Sequence, residues 1–177
     1  SYGVDERSLV LVRLEGGHAL RAVDIDVPAD ISSAAFFLVA ASIVEGSDLL
    51  LEAVGMNPRR TGILSALRLM GADISEENAS EVGGERVADL RVKHAPLRGI
   101  ELPEALVPDM IDEFPAFFVA AAAASGESFV QGIGELRVKE SDRLGAMARA
   151  LPALGVEVEE GADSLRVAGG LSSAGSP

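Results

Sequence analysis

The chain contains an internal repeat, and this limits its possible folds more than any other feature. Residues 31–46 (ISSAAFFLVAASIVEG) match residues 111–126 (IDEFPAFFVAAAAASG) at a constant offset. Phe37, Val39, Ala40, Ala41 and Gly46 recur as Phe117, Val119, Ala120, Ala121 and Gly126. After each block comes an alternating apolar stretch, 48–54 in one copy and 128–133 in the other, which reads as a strand. A second helical stretch follows, closing on Met70-Gly71 and on Leu154-Gly155. The chain therefore reads as one supersecondary unit present twice.

Filling in the remaining periodicity gives the unit βαβαββ. Strands are expected at 22–27 and 99–102 before the first helices. Further strands are expected at 72–75 with 87–92, and at 156–159 with 164–167. The fold class is therefore α/β (α+β). Residues 78–86, with Gly83-Gly84, read as a hairpin loop, and Gly16-Gly17 as a second hairpin turn. Pro152 is expected to end or kink its helix. The first helices, near 32–45 and 112–124, are apolar almost all round, as helices inside a layered domain are. Successive helices of such units run parallel, so their N-termini open onto one face.

Charge and composition narrow the function. Formal net charge is −13, which excludes broad nucleic-acid binding because the basic footprint is missing. Any anionic ligand must be held by a local group of cations. There is no cysteine, so disulfides, thiolate catalysis and Cys-bound metals are excluded, in keeping with a cytoplasmic protein. His18 and His94 are far apart in sequence and give no metal-ligand spacing. The longest apolar runs are too short to span a bilayer, and no signal peptide is visible. A start at Ser1, at the edge of an expected strand, suggests a segment of a longer chain.

The densest chemistry lies at residues 137–143 (RVKESDR). Three cations and two carboxylates precede a helix whose N-cap is Ser141 or Asp142 and whose stop is Gly155. A helix N-terminus attracts anions, and Lys139 and Arg143 strengthen that attraction. Glu140, set among them, is a candidate proton carrier. The plainer reading is a solvated ion-pair cluster. Asp112 lies at the start of the equivalent first helix, on the same expected face. A capping role also fits there, with Asp109 as N-cap and Asp112 and Glu113 complementing the helix dipole. The matching residue in the first copy is uncharged Ser32, so capping alone does not require a carboxylate. Ser32-Ser33 read as an N-cap, Asn57-Pro58 as a turn, and Arg59 and Arg60 as surface or hinge residues.

Four segments together resemble the 5-enolpyruvylshikimate-3-phosphate synthase family: 137–143 (RVKESDR), 110–115 (MIDEFP), 26–36 (DVPADISSAAF) and 57–62 (NPRRTG). The resemblance spans nearly all of residues 7–169. It implies the enolpyruvyl transferase inside-out barrel, two lobes of repeated βαβαββ units with the active site between them, incomplete here. Residues 1–57 would be the end of one lobe and 58–169 part of a second, carrying Asp112 and 137–143. Residues 170–177 would be a flexible tail. The implied reaction moves the enolpyruvyl group of phosphoenolpyruvate to the 5-hydroxyl of shikimate 3-phosphate and releases phosphate, with no cofactor and no metal. By similarity, Asp112 exchanges the hydroxyl proton and contacts shikimate 3-phosphate, which Lys139 also binds. Glu140 handles the methylene proton and contacts phosphoenolpyruvate, and Arg143 pairs with that substrate. The implied partners are these two small molecules, without nucleic acid or membrane, and the implied parent is a monomer.

The family's lysine-rich phosphoenolpyruvate segment, its serine-glutamine phosphate loop and its late Asn-Asp-His-Arg motif have no counterpart here. An internal piece with negligible turnover is therefore expected. Two competing readings are a UDP-N-acetylglucosamine enolpyruvyl transferase-like enzyme, which typically uses a cysteine, and a non-catalytic repeat module.

Overall fold

A computed structural model describes residues 15–17, 19 and 21–171 of the chain. The first unit comprises α1 (Ile31–Ile43), β1 (Asp48–Gly55), α2 (Gly62–Leu69), β2 (Asp73–Val82) and β3 (Glu85–Lys93). The second comprises α3 (Phe114–Ala123), β4 (Glu127–Val130), α4 (Arg143–Ala153), β5 (Val158–Glu160) and β6 (Leu165–Ala168). Short 3-10 helices occupy Glu104–Met110 and Gly134–Arg137. Each unit forms a three-stranded antiparallel sheet with the last strand in the middle, in the orders β1-β3-β2 and β4-β6-β5. The repeat in the sequence is thus a repeat of topology.

The leading strand of each unit is shorter than expected. Residues 22–27 form no strand; only Ala29 pairs, in parallel, with Val54. Around 99–102 the pairing is likewise reduced to single parallel bridges, Arg98 with Ser125 and Glu101 with Phe129. The first hairpin departs the other way. β2 and β3 continue outward until only Gly83-Gly84 remain as the turn, both at positive φ. The polar run from Glu76 to Glu81 hides this strand from hydropathy, because little of it is buried. The flanks of Gly16-Gly17 and most of the 170–177 tail lie outside the described residues.

β1 and β2 each carry a bulge against β3, with Ala53 and Asn78 at φ 53° and 50°. Asp89 on β3 serves both. Its carboxylate accepts from the Ala53 N–H at 2.8 Å and from Asn78 Nδ2 at 2.7 Å. The Ala53 carbonyl accepts from the Ala29 N–H at 2.8 Å, so this bulge anchors the chain just before α1. The lobe boundary expected between residues 57 and 58 falls between strands of one sheet, since β1 hydrogen-bonds to β3. Residues on both sides of it share one core.

That core centres on α1 against α3. Ala34, Ala35, Leu38 and Val39 meet a helix whose Phe114, Phe117 and Phe118 are fully buried. The three rings pack edge-on or tilted, with centroids 5.7–6.1 Å apart. Burial is less complete than the sequence suggests, because Phe36 and Phe37 on the outer side of α1 remain 62% and 58% exposed. Among the described residues, no helix is long and apolar enough to cross a membrane.

Two substitutions test this packing by urea unfolding. Phe117→Ala should cost about 3–5 kcal/mol, through lost burial and the cavity left behind. Gly99→Ala should cost about 1–3 kcal/mol, because the new Cβ would lie 2.2 Å from the Glu127 carbonyl oxygen, which is backbone and cannot rotate away. An unfolding midpoint unchanged in either variant would contradict the packing described.

Candidate active site

The parallel entry of α1 and α3 into the core brings their N-termini together, and the charged residues gather there. α3 starts at Phe114, with Pro115 in its first turn, where a missing N–H costs nothing. Neither Asp109 nor Asp112 caps it. The N-cap position is Glu113, whose side chain makes no capping hydrogen bond. Asp109 instead lies in the 3-10 helix, 3.4 Å from Arg59. Asp112 sits in the intervening turn with its side chain 49% exposed. Its carboxylate is left free for the residues facing it.

Those residues come from the loop before α4 and from the first residue of that helix. Arg143 Nη1 donates to Asp112 Oδ1 at 2.8 Å, and its Nη2 donates to Glu140 Oε2 at 2.6 Å. Lys139 Nζ lies 3.7 Å from the same Asp112 oxygen and 3.0 Å from Glu135 Oε1. Asp112, Lys139, Glu140 and Arg143 are therefore one cluster, as the repeat predicts. Glu140 is its most exposed member, at 81%. The hydrogen bond that Lys139 donates to Glu135 raises the Lys139 pKa against the opposing effect of desolvation, and the Asp112 charge adds to the rise. The hydrogen bond to Asp112 likewise raises that of Arg143, so both cations stay charged. The Glu140 carboxyl is held below its ordinary range by its own backbone N–H first, then by Arg143.

Of the two N-cap candidates in the sequence, Ser141 and Asp142, it is Asp142 that caps α4, accepting from the Gly145 N–H at 2.8 Å. One free amide of that helix is thus already taken, so anion binding here rests on side-chain cations more than on the helix terminus. Arg137 is not part of the cluster. It turns to the β5–β6 connection, donating to the carbonyls of Ala162 and Gly161 at 2.7 and 2.6 Å. It also pairs with Glu160 at 2.8 Å and reaches Asp142 at 3.3 Å. Its role is to fix the loop that carries Lys139 and Glu140.

The first unit supplies a matching set. Asp30, rather than Ser32-Ser33, caps α1, accepting from the Ser33 N–H at 2.9 Å. Burial works against its charge, but hydrogen bonds from Ser33 and Ser32 and the charge of Arg60 leave its pKa lowered. Arg60 Nη2 lies 3.1 Å from Asp30 and donates to Ser32 Oγ at 3.0 Å. The Ser32 hydroxyl in turn donates to the Glu113 carboxylate. Glu113 is only 4% exposed, and burial, helped by the Asp112 charge, pushes its pKa up. The sequence marks Glu113 only as a partner of the helix dipole, and Arg60 only as a surface residue. The contact with Ser32 joins the two repeats, and no local pattern announces it.

A family model described as EPSP synthase (3-phosphoshikimate 1-carboxyvinyltransferase) matches residues 4–176. A 3-phosphoshikimate 1-carboxyvinyltransferase of Xanthomonas euvesicatoria pv. vesicatoria (strain 85-10) is 69% identical over 163 residues, 92% of this chain and 37% of that protein. The enzyme of the same name from Xanthomonas oryzae pv. oryzae (strain PXO99A) is 66% identical over 176 residues, 99% of this chain and 40% of the relative. The chain thus spans about two fifths of the length of these curated relatives. An EPSP synthase structure from Acinetobacter baumannii superposes with a TM-score of 0.84 at 50% identity, covering 88% of this chain and 35% of that one. The enolpyruvyl transferase NikO from Streptomyces tendae, at 19% identity and a TM-score of 0.58 over 81% of this chain and 31% of its own, shares the fold. By this match over nearly its whole length, the chain belongs to the EPSP synthase (3-phosphoshikimate 1-carboxyvinyltransferase) family.

Proposed function

We propose that this chain carries one side of the active site of an enolpyruvyl transferase that joins phosphoenolpyruvate to the 5-hydroxyl of shikimate 3-phosphate and releases phosphate. The supporting observation is the convergence of Asp112, Lys139, Glu140 and Arg143 on one face, with Arg143 bonded to both carboxylates. Two anionic substrates need fixed cations, and the reaction needs two proton transfers. Asp112 takes and returns the hydroxyl proton and, with Lys139, contacts shikimate 3-phosphate. Glu140 exchanges the proton at the methylene carbon, and Arg143 pairs with phosphoenolpyruvate. The reading carries with it a cytoplasmic, monomeric parent. Residues 1–57 and 58–169 would contribute to different lobes of that parent only if the sheet linking β1 to β3 were part of their junction.

Without ligand, the cations are neutralised internally, by Glu135, Asp112 and Glu140. Substrate anions must exchange with these carboxylates. The exchange is inexpensive, because partly exposed ion pairs contribute only about 0–1 kcal/mol each. It is also sensitive to salt, which screens the entering anion.

Calorimetric titration of the 177-residue chain with shikimate 3-phosphate tests the assignment. Weak, saturable binding is expected, with negligible turnover when phosphoenolpyruvate is added. Lys139→Ala should weaken binding about tenfold or more, the cost of one charge-assisted hydrogen bond. Asp112→Ala should also weaken it, whereas Glu140→Gln, altered only at a proton carrier, should bind nearly as well as the unsubstituted chain. Equal binding by Lys139→Ala, Asp112→Ala and the unsubstituted chain would favour a scaffold without a site. Turnover at an ordinary enzymatic rate would overturn the expectation of an incomplete site.

A further inference from the structure

No residue from 137 to 143 is buried, so apolar packing does not place the loop that carries Lys139 and Glu140. Leu136 before it and Leu144 after it are fully buried, whereas Val138 between them is 80% exposed. A segment with so few buried contacts is held by its polar bonds. The densest set comes from Arg137, which uses all three nitrogens of its guanidinium. Nε donates to the Ala162 carbonyl at 2.7 Å, and Nη2 donates to the Gly161 carbonyl at 2.6 Å and lies 2.8 Å from Glu160. Nη1 reaches the Asp142 carboxylate at 3.3 Å. The β5–β6 turn that supplies these acceptors is itself firmly held. It closes through the Gly161 N–H on the Ser164 carbonyl at 2.9 Å, and Glu160 and Leu165 at its ends pair within the sheet. A further bond, from the Ile133 N–H to the Asp163 carbonyl at 2.9 Å, ties the turn to the residue before the 3-10 helix. Gly134 permits that approach, since a Cβ there would lie 3.3 Å from the Asp163 Cβ.

We propose that Arg137 is a positioning residue for anion binding and that the β5–β6 turn, residues 161–164, is its anchor; this rests on the reading of Lys139 as a contact of shikimate 3-phosphate. Arg137 holds the turn on one side and Asp142, the cap of α4, on the other. Lys139 and Glu140 lie between these two fixed points. The Lys139 ammonium sits on a flexible stem, so a fixed backbone beneath it reduces what must be ordered when an anion arrives. A planar guanidinium can hold two carbonyls and two carboxylates at once, which an ammonium cannot. Among the described residues, the partners of the Arg137 side chain are Glu160, Gly161, Ala162 and Asp142, and none of them is assigned to a substrate. Its effect on binding is therefore exerted through the loop.

Three variants of the 177-residue chain, titrated with shikimate 3-phosphate, separate this role from simple proximity of charge. Arg137→Lys keeps the charge and loses the fork. Glu160→Gln removes a negative charge from the far side of the clamp, and the third variant carries both changes. Charge alone would leave Arg137→Lys unaltered and let Glu160→Gln bind the anion slightly better. Positioning weakens both, Arg137→Lys by about threefold to tenfold and Glu160→Gln by less. The doubly substituted chain should bind no worse than Arg137→Lys, because both changes undo one clamp. Unchanged or stronger binding in either single variant, or losses that multiply in the double one, overturns the proposal.

Nitrogen-15 relaxation of the ligand-free chain gives a readout that a merely structural role would not move. In Arg137→Lys the order parameters of residues 138–142 should fall while those of α1 and α3, and the urea midpoint, stay unchanged. A lower midpoint with loss of order throughout would make Arg137 a part of the general fold and overturn the positioning role, as would unchanged order in residues 138–142. The same data separate the two claims. If the unsubstituted chain does not bind shikimate 3-phosphate while Arg137→Lys still frees residues 138–142, the clamp stands and the substrate assignment fails. If it binds, and Arg137→Lys binds equally well, the positioning role fails alone.

Discussion

The packing of α1 against α3 is the contact on which the rest of the structure depends. Both helices are apolar almost all round, so neither is stable in water without a partner. Small residues, Ala34, Ala35 and Ala41 on one and Ala116, Ala120 and Ala121 on the other, leave room for the backbones to approach. The phenylalanines of α3 fill the space around them. Burial at about 25 cal/mol per Å² of apolar surface drives this association, and the association sets geometry at the helix ends. With the two helices side by side and entering from the same end, Ser32 and Glu113 have to meet. Apolar packing therefore determines where the polar groups sit.

At that end the two repeats use one geometry for different chemistry. In each, a cation at or just before the start of the second helix pairs with a carboxylate at the start of the first, Arg60 with Asp30 and Arg143 with Asp112. In the first unit the carboxylate is spent as a helix cap, and the neighbouring Ser32 is committed to Glu113. In the second unit Asp112 caps nothing and faces two cations across an open surface. The first unit thus commits its carboxylate to the helix, whereas the second leaves Asp112 to its two cations. A chain of net charge −13 repels anions at long range, so any anion that Lys139 and Arg143 hold would have to be held at contact distance.

Much of this could be read from the sequence, for identifiable reasons. The repeat, the β2–β3 and β5–β6 strand pairs, the apolar first helices and the joining of Asp112 with 139–143 follow from periodicity, which reports burial and face. What periodicity cannot report is pairing between units. The Ser32–Glu113 bond crosses the repeat, and nothing local to either residue distinguishes it from a cap. Asp30 replaced the expected serine caps because its carboxylate reaches the Ser33 N–H while the serines turn to other partners. Arg137 left the cluster for backbone carbonyls of a turn that lies well beyond it in sequence. The expected strand at 22–27 failed because alternation of Val23, Ile25 and Val27 signals a face to bury, and here all three are exposed.

These contacts also determine which property of the site should persist in a chain that spans about two fifths of its relatives' length. Among the described residues, the bonds that shape the Asp112 cluster join groups between residues 30 and 162, at the edge of one continuous core. Arg137 fixes the loop from below, Asp142 caps α4, and the bond between Ser32 and Glu113 fixes the turn that carries Asp112. Positioned cations are what anion recognition requires, and they are present. Catalysis asks for more: a second set of charges on the opposite side of the substrates, and a closed space from which water is excluded. Asp112 at 49% and Glu140 at 81% exposure face solvent, where a developing charge is screened rather than stabilised by fixed dipoles. On the proposed reading, recognition of a phosphorylated ligand would therefore be separable from its conversion, because the first depends on local packing and the second on enclosure.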